Sequence, residues 1–302
     1  TLTARVWFDL TLLALLWGGS FLAIRTALDE IGFLSSVAHR VIWAALVLWL
    51  IAFSKGLAMP KGARLWGAFL VMGLLNNVIP FSLMAWGQLH IESGLAAILN
   101  ATTAIWAVLI AALVFADERL TLRRGIGVLT GFAGVAMAIG LGNLATLDLR
   151  SLAQIAVMAG TVSYGLAGSW ARATLGAQPP LISAAGMLTA SALVMLPLAW
   201  AIEGPLPMAL TPRTWAAIAY FALLSTACAY LLYYRILKAA GSGNLLLVTL
   251  MIPPVAILLG AWARGETLLP QAYLGFAFLV LGLLILDGRI LTAIRRETAR
   301  LG

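Results

Sequence analysis

Residues 118–134 read ERLTLRRGIGVLTGFAG, and residues 266–282 read ETLLPQAYLGFAFLVLG. Laid over one another at an offset of 148, the two stretches share Glu118/Glu266, Leu120/Leu268, Gly127/Gly275 and Gly134/Gly282. The match continues outward with small changes of offset. Trp17-Gly18 pairs with Tyr164-Gly165 and Arg25 with Arg172, while Asn77 pairs with Thr226, Phe81 with Tyr230 and Met84 with Tyr233. Chance Leu and Gly matches are common in apolar helices, so the polar and aromatic pairs carry the weight. The chain is read as an internal duplication.

The composition says in which solvent the repeat folds. Of 302 residues, 63% are hydrophobic and 10% charged, where a soluble domain carries about 25% charged residues. A mean hydropathy of +1.02 spread over the whole length excludes a water-solvated globule and predicts a polytopic helical membrane protein. Ten apolar segments can be marked, at 7–25, 33–53, 64–89, 94–115, 122–142, 151–174, 180–202, 212–236, 242–262 and 269–287. Each is near the roughly 20 residues that cross about 30 Å of hydrocarbon. The first is read as a true span, because no cleavage pattern follows it. A lone Cys228 inside an apolar run excludes an internal disulfide and a cysteine metal cluster, and is read as a packing residue.

Five spans per half is an odd number, so the second half is inserted upside down relative to the first. The expected fold is therefore an all-α polytopic membrane protein, with ten transmembrane helices as two inverted five-helix repeats around a central cavity. Its boundaries are 1–143 and 150–288, with a basic tail at 289–302. Such a duplication lets two halves rock about a site at the membrane midplane, which points to a carrier. Of the 19 Lys and Arg residues, Arg25, Arg40, Arg150, Arg213 and Arg264 fall on one side of this topology. The other 14 fall on the side of the termini, which predicts both termini in the cytoplasm. The net charge of +8 thus reads as topology, and nucleic acid is not an expected partner.

Glu, Leu and two glycines repeated after the fourth and ninth spans, together with Trp17-Gly18 in the first, resemble the drug/metabolite transporter superfamily. More narrowly, the chain is similar to its ten-helix EamA-like exporters over about residues 7–288. The run Leu15-Leu16-Trp17-Gly18-Gly19-Ser20-Phe21 is most similar to the YddG type of aromatic amino-acid exporter. The resemblance implies efflux of aromatic amino acids and related compounds across the bacterial inner membrane, with spans 1, 3, 4, 6, 8 and 9 around the cavity and spans 5 and 10 peripheral. One departure is that Pro253-Pro254 of the ninth span has Ile105-Trp106 as its counterpart, so the fourth span is expected to lack the usual proline kink.

The residues narrow the chemistry independently. No Asp or Glu falls in the middle of a span; Asp9 and Asp287 lie at edges. A site for a permanent cation, or a carboxylate relay for ions, is therefore disfavoured, and a neutral, zwitterionic or largely apolar solute is expected. Asn77, Phe81 and Met84 share one helix face, as do Thr226, Tyr230 and Tyr233. Such faces would solvate a polar head while stacking a ring. Ser20, Asn76, Asn100, Thr102, Thr103, Ser163, Ser225 and Thr249 are further candidates for the pathway, with packing between helices as the alternative for each. Trp17, Trp106 and Tyr164 are mid-span candidates, whereas Trp7, Trp66, Trp200 and Trp215 read as an interfacial belt. Pro80, Pro253 and Pro254 are candidate hinges, or static bends.

His39-Arg40 reads first as an interfacial, snorkelling pair; a second reading has Arg40 gate or steer a carboxylate. Glu118 and Glu266 read as helix caps, and neither has a metal-ligand partner at the right spacing. No cofactor or metal is expected. The expected partners are a small solute, aromatic amino acids foremost, and the lipid bilayer. The oligomeric state is open, and a monomer is compatible with the sequence. An intramembrane enzyme is the remote alternative, without a mid-span Asp pair, Ser/His pair or HExxH to support it. A carrier of another metabolite or an uncharged drug is the nearer one.

Overall fold

The computed structural model describes residues 3–117, 120–139, 148–245 and 247–287. The linker between the halves, the basic tail, and Glu118 and Arg119 of the repeat motif lie outside the described residues. Ten helices run through the described part: α1 Ala4–Ala27, α2 Phe33–Ser54, α3 Ala63–Gly87, α4 Ser93–Val114, α5 Leu122–Ile139, α6 Leu149–Thr174, α7 Pro180–Glu203, α8 over 212–245, α9 Leu247–Arg264 and α10 Pro270–Asp287. No strand occurs among the described residues. Seven of these helices are long and apolar enough to cross a membrane, and two shorter apolar helices fall within α9 and α10. The expected break after residue 236 is absent, because α8 continues to Leu245.

The repeated glycines lie where α5 and α10 touch. A Cβ at Gly134 would stand 2.5 Å from the Gly275 carbonyl oxygen, and one at Gly127 would stand 2.8 Å from that of Gly282. The converse approaches are as close, so the two helices meet backbone to backbone and only hydrogen fits between them. Small residues permit this approach where lipid offers no hydrophobic drive for association.

The Trp-Gly and Tyr-Gly pairs have the same logic. A Cβ at Gly18 of α1 would collide with Val255 of α9 at 2.6 Å, and one at Gly165 of α6 would lie 2.8 Å from Ile110 and 3.0 Å from the Trp106 backbone of α4. The first helix of each half therefore packs against the fourth helix of the other half. It also packs against the other half's third helix, α1 on α8 and α6 on α3. The two halves exchange their first helices and so enclose a common centre, and α2 packs directly on α7.

Acidic side chains cap helix starts, where backbone N–H groups have no intrahelical acceptor. Glu203 accepts from the Leu34 and Ser35 amides of α2. Glu266 accepts from the Ser93 amide and hydroxyl of α4. Glu30 bonds Thr211 and Thr214 at the start of α8. Glu266 thus caps a helix of the other half, while Glu118 lies outside the described residues.

Prolines and helix interruptions do not coincide throughout. Helical conformation persists through Pro253 and Pro254 in α9, whereas α4 is interrupted at Ala101–Thr102, between Asn100 and Thr103, without any proline. There the Thr102 hydroxyl bonds the Leu99 carbonyl at 2.7 Å and Thr161 of α6 at 2.9 Å, drawing the backbone off its regular ladder. Cys228 corrects another expectation, since it is exposed and not packed.

Replacing Gly134 or Gly275 by Ala is expected to cost about 1–3 kcal/mol through overpacking, read as a lower melting temperature in detergent. Gly125→Ala, at a position with open space around its Cβ, is the control and is expected to leave the melting temperature near wild type.

Candidate substrate site

Two stretches of π-helix mark the centre. Leu74–Val78 interrupts α3 and Tyr220–Cys228 interrupts α8. At the offset of 149 that pairs Asn77 with Thr226, the first falls inside the second. Both members of the repeat therefore carry the same irregularity, and its polar residue lies within it. A π-helical turn moves the backbone acceptors out of register and leaves carbonyls to be bonded otherwise. Pro80, the second residue of the α-helical continuation, lacks an N–H that would restore the ladder.

Side chains from the opposite half bond the freed carbonyls. The Ser163 hydroxyl of α6 donates to the Leu75 carbonyl of α3 at 2.7 Å, and the Trp17 indole of α1 donates to the Ser225 carbonyl of α8 at 3.1 Å. Thr226 bonds the Phe221 carbonyl of its own helix at 2.7 Å.

Around these segments lies a polar cluster. Asn76 donates to the Tyr230 hydroxyl at 2.9 Å, which donates to the Asn77 amide oxygen at 3.3 Å. Asn77, fully buried, donates to Ser191 of α7 at 3.0 Å, and Ser191 donates to the Met187 carbonyl at 2.7 Å. On the other flank the Arg40 Nε–H donates to the Thr226 hydroxyl at 2.9 Å. The Arg40 guanidinium carbon lies 3.8 Å from the centroid of the Phe81 ring, a cation–π contact. Phe81 in turn meets Tyr164 edge to face at 6.5 Å. Tyr164 and Tyr230 both lie within electrostatic reach of the guanidinium.

Arg40 overturns the interfacial reading. It is only 9% exposed, and it sits seven residues into α2, about 10 Å along the helix. Its neighbour His39 is also buried. The Trp43 indole, a donor only, bonds His39 Nδ1 at 3.1 Å, so Nε2 carries the proton and donates to the Pro207 carbonyl at 2.9 Å. A neutral His39 thus ties α2 to the α7–α8 connection. Asp9, near the start of α1, is buried and ion-paired with Arg235 of α8.

The cluster gathers Asn77, Phe81, Tyr164, Thr226 and Tyr230 among the expected site residues. Trp17 and Tyr233 form a second aromatic pair at 6.1 Å. Ser20 and Thr103 bond carbonyls of their own helices, and Met84 lies in an apolar cluster with Phe21 and Leu95. Trp106 rests on Phe132 of α5. Its indole nitrogen is buried without a partner among the described residues, as is the Asn100 amide oxygen. Among the presumed belt residues, Trp7 and Trp200 are exposed, but Trp215 packs on His39 and Trp43. Sequence reasoning ranked Arg40 low and missed Ser191. The available signal for Arg40 was an arginine two turns inside an apolar span whose own helix holds no acid.

Both ends of the bundle are held by ion pairs. At the α1–α2 turn, Asp29 accepts two hydrogen bonds from Arg264 at 2.8 and 3.0 Å and lies beside Arg25 and Arg213. This joins the ends of α1 and α9 to the start of α8. Glu92 pairs with Arg150 at 2.8 Å, and Arg172 pairs with Asp117 at 2.6 Å.

The EamA-like transporter family model matches twice, over residues 8–140 and 151–286, and the chain belongs to that family. It is a multi-pass membrane transporter. A "Probable terminal-alkyne amino-acid exporter" of Streptantibioticus cattleyicolor is 28% identical over 100% of this chain and 99% of its own. Protein PagO of Salmonella typhimurium is 27% identical over 91% of this chain and 90% of its own. A solved crystal structure shares the fold, with a TM-score of 0.66 at 18% identity, covering 94% of this chain and 96% of that one.

Two outcomes are expected from this geometry. Tyr230→Phe removes the hydroxyl between Asn76 and Asn77 and is expected to cost about 1–3 kcal/mol, measurable as a drop in thermal stability. For Asp29, the hydrogen bonds from Arg264 hold the carboxyl below its ordinary value of 3.8, and the charges of Arg264, Arg25 and Arg213 add to this against the opposing desolvation. A lowered carboxylate contributes stability that is full above the ordinary value and lost as pH falls through the lower one. Melting temperatures on an acid series are expected to fall less steeply for Asp29→Asn than for wild type.

Proposed function

We propose that this transporter exports small metabolites, aromatic and other apolar amino acids foremost, across a bacterial inner membrane with both termini in the cytoplasm. The observation that carries the reading is the pair of π-interrupted helices, α3 and α8, which bring equivalent amide, hydroxyl and aromatic faces together inside the bundle. Such a lining matches a solute with a polar head and an apolar side chain. The relative from Streptantibioticus cattleyicolor, named as a probable amino-acid exporter and matched over the full chain, supports amino acids as the solute class.

In this reading the halves 1–143 and 150–288 rock against each other and open the centre to either side in turn. The ion pairs at the two ends are the contacts that break and reform, and Pro80, Pro253 and Pro254 are hinge positions. Transport is uniport or exchange, because among the described residues the one deeply buried carboxylate, Asp9, is held by Arg235.

Purified protein in liposomes is expected to catalyse uptake of labelled phenylalanine and tryptophan, with no accumulation driven by an imposed pH gradient. Trp17→Ala and Tyr230→Ala are expected to lower that flux at least several-fold while the proteins stay folded. Absence of protein-dependent flux of both solutes defeats the substrate assignment, and accumulation against a pH gradient defeats the coupling assignment. A reporter fused at the C-terminus is expected to register on the cytoplasmic side.

A further inference from the structure

We infer that Arg40 is the carboxylate anchor of the site, so that the carrier requires an acid group on its solute and rejects the corresponding amine. The inference rests on the amino-acid reading and narrows it.

An arginine stays charged at any accessible pH, and a buried one needs an anion or a full set of acceptors. Arg40 has neither. Among the described residues no carboxylate pairs with it, and its single hydrogen bond runs from Nε to Thr226. The four N–H groups on its two terminal nitrogens have no acceptor among those residues, yet they belong to a planar fork suited to two carboxylate oxygens. Phe81 covers the guanidinium face at 3.8 Å, which leaves the edge of the fork for a ligand. Every other arginine on the same side of the topology has an acid: Arg25, Arg213 and Arg264 share Asp29, and Arg150 has Glu92.

The repeat adds a direction. The residue of α7 that corresponds to Arg40, at the offset that pairs Trp17 with Tyr164, is Met187. Met187 faces Asn76 through its sulfur at 3.8 Å, much as Arg40 faces Thr226. The charge is thus present once in a site that is otherwise nearly two-fold. A solute binds in one orientation, with its acid group at Arg40 and its ring among Phe81, Tyr164 and Tyr230.

The test uses the full-length protein in liposomes and, independently, in detergent. Uptake of labelled phenylalanine is competed by 3-phenylpropionate, which keeps the acid and lacks the amine, and by phenethylamine, which does the reverse. Wild type is expected to be inhibited by the acid at concentrations at least tenfold below those of the amine. Arg40→Met, which copies the residue of the other half, is expected to raise the half-saturating phenylalanine concentration at least tenfold and to erase the preference. Arg40→Lys is expected to recover part of it. In detergent, 3-phenylpropionate is expected to raise the melting temperature of wild type and not of Arg40→Met. Equal competition by acid and amine in wild type, or an intact acid preference in a folded Arg40→Met protein, overturns the inference while leaving the carrier reading standing. If wild type carries no aromatic amino acid, the substrate reading fails, and the detergent measurement still decides Arg40: no stabilisation by the acid, or equal stabilisation by the amine, overturns it.

Discussion

A carbonyl released from a helix inside hydrocarbon has no water to bond, and the structure is organised around that constraint. The π-helical segments of α3 and α8 each release carbonyls at the centre of the bundle. Ser163 reaches across to Leu75, and Trp17 reaches across to Ser225. In both cases the donor belongs to the first helix of the other half. The bonds that make the irregular backbone tolerable are therefore the same bonds that hold the exchanged helices in place. An irregular centre and a shared centre depend on each other.

The glycines explain how these helices come close enough. Gly18 and Gly165 follow the aromatic residues that face inward, and each lets its helix seat against the fourth helix of the partner half. The aromatic residue and the glycine after it point to different neighbours, as adjacent positions on a helix must. Gly127, Gly134, Gly275 and Gly282 do comparable work for α5 and α10, away from the centre. Among the residues of the repeated motif, the glycines thus serve packing and Glu266 serves a helix start.

Charge is distributed by a related economy. Acids cap helix starts or meet arginines at the ends of the bundle, where water and partners are at hand. Among the described residues, two charged side chains are buried, Asp9 and Arg40. Asp9 is buried but neutralised by Arg235, whereas Arg40 is buried beside hydroxyls and rings, without an acid among the described residues. A carrier whose centre keeps one fixed positive charge presents different chemistry to the two ends of a bound solute, although its helices are nearly two-fold.

Hydropathy, span length and the offset repeat were enough to set the solvent, the number of helices and the inverted duplication, because these follow from how many apolar residues lie between polar ones. The pairing of Asn77 with Thr226 and of Phe81 with Tyr230 was legible for the same reason, since helical spacing puts such residues on one face. What sequence could not assign was the neighbour on the far side of that face. Arg40 looked like a rim residue because its depth depends on where α2 meets α8, and Ser191 was silent because its bond to Asn77 spans 114 residues. Pro253 and Pro254 lie within continuous helix in α9, and nothing marked the break in α4, which a threonine pair across α4 and α6 produces. Local pattern determined the helices and their faces. Only tertiary structure decided which carbonyls are released and which side chains bond them, because those bonds join residues of opposite halves.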